Sequence, residues 1–125
     1  MGLILLIIAT ILKVLVAPFA YMYGTVKSLK IGGLKEWNKW NFDLAVAKDQ
    51  YGNGLLKYVM NDLSICGNGY QFGNIDETIS SVLGKNKNQH TLTKFGIFIA
   101  AILNKIDPNH VEKSIDYNEG VTKIK

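Results

Sequence analysis

The sequence predicts an all-α protein, with one N-terminal transmembrane helix followed by a small helical domain. Three observations lead there. Residues 2–23 form a nearly unbroken apolar run. Later stretches repeat their apolar residues at helical spacing, with turn-forming residues between them. No convincing alternating strand pattern and no internal repeat occurs in the 125 residues. The expected organisation is an anchor at 1–24, a basic juxtamembrane hinge at 25–33, a helical domain at 34–117 and a polar tail at 118–125.

The run "GLILLIIATILKVLVAPFAYMY" is long enough to cross a bilayer core, which takes about 20 apolar residues. A cleaved signal peptide would need a basic start and a small-residue cleavage site, and no lysine precedes Lys13. Lys13, near the middle, costs about 2.5–3.5 kcal/mol on insertion. Twelve Leu, Ile, Val or Phe residues between positions 3 and 19 return about 4–7 kcal/mol, so insertion wins. Ala9, Lys13, Ala17, Ala20 and Gly24 share one helical face. Small residues let membrane helices approach closely, and an intramembrane charge turns toward such an interior. This face is therefore expected to pack on another helix, from a protein partner or a second copy. Pro18 is expected to kink the span, and Tyr21 and Tyr23 mark its interfacial end.

Lys27, Lys30, Lys35 and Lys39 follow the span, and no lysine precedes it. The positive-inside rule then puts the amino terminus outside and residues 25–125 in the cytoplasm. These lysines also suit anionic headgroups. Cys66 is the single cysteine and makes no internal disulfide, which agrees with a reducing compartment. All fourteen basic residues are lysine, at a net charge of +4. Without the arginine fork, specific nucleic-acid recognition is not expected. Two histidines and one cysteine do not fill a zinc site without carboxylates, and neither metal nor cofactor is expected.

Along the rest of the chain, Gly32–Gly33 is a break or hinge. Leu34, Trp37, Leu44 and Ala45 then follow a helical period, with both tryptophans close to the membrane exit. "YGNG" at 51–54 is expected to loosen or interrupt the chain. "LLKYVMNDLSI" reads as a short helix and "CGNGYQFGN" as a loop. That loop lacks the ending and context of a phosphate-binding loop. In "NIDETISSVLGKN", Asn74 is expected to cap a helix, with Glu77 closing a capping box and Gly84 ending it. Asp76 and Glu77 would complement the helix dipole, above a buried stripe of Ile79, Val82 and Leu83. "KNKNQH" reads as a loop. Thr91 is expected to cap a helix whose stripe is Leu92, Phe95, Ile99, Ile102, Leu103 and Ile106. Asp107 and Pro108 would start a last short helix with His110 at its third position and Val111 and Ile115 buried.

"NGYQFGNIDETISSVLGKN", "TLTKFG" and "LNKIDPNHVEKSI" together resemble small uncharacterised proteins of phages that infect Bacteroidetes, the crAss-like phages among them. Asp76, Glu77, Thr78, Ile79, Ser80 and His110 match the shared Asp-Glu-Thr-Ile-Ser and histidine skeleton. Val111 stands where such proteins often carry a cysteine, which speaks against Cys–His chemistry here. The resemblance implies a small viral protein and no particular activity; the apolar run and the lysine asymmetry then make the host inner membrane its expected location.

The function expected first is therefore an accessory or interaction protein. A holin-like lysis role is the second, resting on the small-residue face. Spanin topology opposes the lysine count, and Glu36 and Glu77 lack the sequel of an endolysin site. A third is a metal-dependent enzyme or nuclease using Asp76, Glu77 and His110, with Ser80 nearby. It requires those side chains to converge.

Overall fold

The computed structural model describes residues 1–119. The elements are α1 (Gly2–Leu55), α2 (Lys57–Ser64), α3 (Ile79–Asn88), α4 (Lys94–Ile106) and α5 (His110–Lys113). No strand occurs among the described residues; one isolated bridge joins Ile65 to Leu92. The fold is all-α, as the sequence predicts. The chain divides into two compact units, Met1–Leu44 and Ala45–Lys125.

The first unit turns on Gly33. Its φ of 65° and ψ of −153° are non-helical, in a region that glycine alone enters cheaply. The two legs of α1 on either side then lie against each other. Tyr21 Oη donates to Asn41 Oδ1 at 2.9 Å, and Trp37 Nε1 donates to Thr25 Oγ1 at 3.4 Å. A straight helix would hold residues twenty apart at about 30 Å. The contacts step by four residues in opposite senses, so the legs are antiparallel. Tyr21 and Trp40 stack with ring centroids 5.3 Å apart. A Cβ on Gly24 would lie 2.7 Å from Trp40 Cζ2, so the seam needs glycine there.

This corrects one expectation. Gly24 does not serve a helix from another chain, because Trp40 of its own chain occupies that space. Ala9, Lys13, Ala17 and Ala20 are exposed. The helix also passes through Pro18 with helical dihedrals, and the departure inside α1 is at Gly33.

The second unit is held by Met60, Ile65, Phe72, Val82, Leu83, Ala100 and Val111, with Tyr70, Ile79, Leu92, Ile99 and Leu103 packed against them. Asn53, Ser64, Glu77, Ser80, Ser81 and Asn86 are also buried there. So polar a core stands only if its groups are paired. Among the described residues, no buried side-chain nitrogen or oxygen lacks a hydrogen-bond partner.

Several helix boundaries differ from expectation. The helix does not stop at "YGNG" but runs through it to Leu55. Helix α3 is capped by Thr78, whose side chain accepts from Ser81 N, and not by Asn74. It continues past Gly84 and Lys85 to Asn88. Helix α4 is capped by Thr93 instead of Thr91. Asp107 ends α4, and His110 is the first residue of α5, after Asn109 in the left-handed region. The stripe on α4 is rotated: Gly96, Ile99, Ala100 and Leu103 face the core, while Phe95, Ile102 and Ile106 are exposed. Residues 120–125 of the expected polar tail lie outside the described residues.

Gly84 has a different duty from the one its type suggests. It lies where α3 meets α5, and a Cβ there would collide with the Val111 carbonyl and sit 2.7 Å from Ile115 Cγ1. Helix propensity alone gives Gly84→Ala a gain of about 1 kcal/mol. The contact reverses the sign, and we expect a loss of about 1–3 kcal/mol from overpacking. Urea denaturation of the two proteins checks it.

Candidate functional site

The residues singled out in "DETIS" occupy the approach to α3 and its first turn. They separate into two networks and one bystander. Asp76 is the bystander: its side chain is exposed, and its carbonyl accepts from Gln50 Nε2 at 3.1 Å. Its amide donates to Asn74 Oδ1 at 3.1 Å, a turn preceding the helix.

Glu77 is the centre of the first network. It precedes the Thr78 cap, so it makes no capping box, and it is 1% exposed. Its carboxylate pairs with Lys85, accepts from Tyr70 Oη at 2.8 Å and accepts from Ser81 Oγ at 2.5 Å. Lys85 also lies over the Tyr70 ring, 4.4 Å from its centroid. Ser81 Oγ accepts from the Asp116 amide at 2.8 Å, which ties the segment after α5 to the same cluster. Every carboxylate oxygen is engaged inside the protein, so Glu77 is a structural anchor.

Burial first, then the hydrogen bond to Glu77, pushes the Tyr70 hydroxyl above its usual value. A group whose folded pKa is raised keeps its full stabilising contribution below its unfolded pKa, about 10 for tyrosine. That contribution is lost as pH rises through the folded value. Wild type is thus expected to lose stability on the alkaline side of about pH 10 more steeply than Tyr70→Phe. Denaturation midpoints measured across that range test it.

Ser80 and His110 meet in the second network. Ser80 Oγ lies 3.1 Å from His110 Nε2, and His110 Nδ1 lies 3.0 Å from Asp107 Oδ2. Lys113 Nζ bonds the other Asp107 oxygen at 2.8 Å. Lys113 and then His110 hold the Asp107 carboxyl below its ordinary range. Asp49 closes the chain, accepting from Ile79 N at 3.2 Å and from Ser80 Oγ at 3.3 Å. The carboxylate that complements the start of α3 therefore comes from α1.

A serine, histidine and aspartate in this order have the connectivity of an acyl-transfer relay. Two features oppose that chemistry. Ser80 is only 4% exposed. The Asp49 carboxylate on the same hydroxyl would repel a developing oxyanion, where such catalysis needs donors. The described hollows lie elsewhere, one around Lys87, His90, Leu92 and Ile97 and another along Asn68–Asn74. The network is satisfied in both states of the imidazole. Neutral His110 donates to Asp107 and accepts the Ser80 hydroxyl. Charged His110 donates to both, and Ser80 donates to Asp49. It is a clamp joining α1, α3 and α5.

Asp76, Glu77 and His110 therefore serve separate partners. Among the described residues, no three His, Cys, Asp or Glu side chains form a group that could hold a metal. Sequence reasoning placed Ser80 and His110 in one cluster with Asp76 and Glu77, of which the structure joins only Ser80 to His110, and it missed Asp49, Asn53, Tyr70 and Lys85, none of which stands at a motif spacing. Comparison with protein-family models, with curated proteins and with solved structures gives no match.

Proposed function

We propose that the chain is a phage-encoded, single-pass protein of the host inner membrane, whose helical unit works on the cytoplasmic side as an accessory or interaction protein. The observation that carries this is the first leg of α1. Leu3 to Phe19 are exposed in the fold, so the run is not a core helix, and α1 is long and apolar enough to cross a membrane. Water is a poor solvent for such a surface, and hydrocarbon a good one.

Orientation is supported by the exposed Lys27, Lys30, Lys35 and Lys39. Tyr21, Tyr23 and Trp40 suit the interfacial layer at the end of the run. Fusing a fluorescent protein or alkaline phosphatase to the carboxy terminus tests the topology. Fluorescence without phosphatase activity is expected, and a phosphatase-active fusion would reverse the orientation.

A holin-like role is kept as a second reading, because Ala9, Lys13, Ala17 and Ala20 remain exposed on one face. Induced expression followed by a lysis curve separates the two.

A further inference from the structure

The outward face of α4 is apolar along its length, although α4 already packs into the core by its other side. Phe95, Phe98, Ile102 and Ile106 are 44%, 61%, 43% and 78% exposed. Exposed Lys94 and Lys105 stand at the two ends, and the helix contains no acidic residue. The geometry points to a lipid surface containing anionic headgroups as the occupant of this face, with α4 lying in the interfacial plane. This rests on the membrane reading proposed above.

Three observations favour lipid over other occupants. Aromatic and aliphatic side chains on one face, with lysines at the ends, are what an interfacial helix presents to acyl chains and headgroups. The hairpin of the first unit also returns the chain to the level of Tyr21 by Asn41, at the end of the apolar run. The last residues of the first unit thus lie at the level where the apolar run ends. Finally, a second copy is a poor occupant. Antiparallel pairing of two α4 faces sets Lys94 against Lys105, parallel pairing sets each lysine against itself, and α4 offers no acid to relieve either.

The test uses the full chain in vesicles of phosphatidylcholine with or without phosphatidylglycerol. Cys66→Ser removes the native thiol, and a nitroxide is placed by Phe98→Cys or, separately, by Ile8→Cys. With phosphatidylglycerol, the label at 98 is expected to collide with oxygen several-fold more than with a water-soluble nickel chelate. That preference is expected to fall several-fold in neutral vesicles and in the K94E/K105E variant, while the label at 8 keeps it throughout. A water-exposed label at 98 beside a lipid-exposed label at 8 overturns the docking and leaves the anchor standing. Water exposure at 8 overturns the anchor itself. A label at 98 shielded from both reagents, with spin–spin broadening that vanishes on dilution with unlabelled chain, assigns the face to a second copy and also overturns the inference.

Discussion

Glu77→Ala is expected to cost about 3–5 kcal/mol, because it breaks a buried ion pair and leaves one charge behind. A domain is stable by only about 5–15 kcal/mol, so the loss is a large fraction of the second unit's stability. Lys85 has a side chain 12% exposed and, among the described residues, would keep the Glu119 carbonyl and the Tyr70 ring as partners. Tyr70 Oη and Ser81 Oγ would lose their acceptor. Lys85→Met removes the stranded charge, and the double variant should recover part of the loss. A double-mutant cycle on urea midpoints is expected to give a coupling of about 1–3 kcal/mol. Simple additivity would mean that the pairing with Lys85 contributes nothing to the cost of removing Glu77. Glu77→Gln should fall between wild type and alanine, since it keeps shape and an acceptor but loses the charge.

The parts of this fold that were legible in the sequence are those written locally. The long apolar first leg of α1 needs only a run of apolar residues. The hinge needs only a residue that tolerates positive φ, and Gly33 supplies it. Ser80 and His110 were legible as members of a cluster with Asp76 and Glu77, yet their contact with each other and their partners Asp49 and Asp107 were not. Asp49 stands 31 residues from Ser80, and Asp107 reads equally well as a helix cap.

The helix starts show the same limit. "NIDET" and "TLT" each offer several capping residues, and tertiary partners decide among them. Glu77 was unavailable for a capping box because Lys85, Tyr70 and Ser81 hold it. Helix α4 is apolar on both sides, so periodicity alone does not choose the buried one. What chooses it is size: Gly96 and Ala100 admit close neighbours, and a Cβ on Gly96 would meet the Ser64 carbonyl. Ile99 and Leu103 follow them inward on the same side, and Phe95, Phe98, Ile102 and Ile106 stay outside.

Asn53→Ala reverses sign between the two ways of reading "YGNG", and its loss should approach that of Glu77→Ala. By local propensity, alanine in place of asparagine lengthens a weak helix and gains about 0.5 kcal/mol. In the fold, Asn53 is 0% exposed and fastens the loop before α3. Its amide nitrogen donates to the carbonyls of Asn74 at 3.0 Å and Glu77 at 2.8 Å. Its oxygen accepts from Gly73 N at 2.9 Å. The glycines on either side allow the approach, and a Cβ on Gly54 would lie 2.7 Å from Ile75 Cγ2. Alanine leaves three backbone groups without these partners, each costing about 1–3 kcal/mol when buried, so a net loss of about 3 kcal/mol or more is expected. Asn53→Asp should not rescue it, because a carboxylate keeps the bond to Gly73 but faces two carbonyls with no donor. The local signature is hydrogen exchange: the Gly73 amide should exchange faster relative to amides of α4 in Asn53→Ala than in wild type. An unchanged urea midpoint with an unchanged Gly73 amide would mean that the loop is held without Asn53.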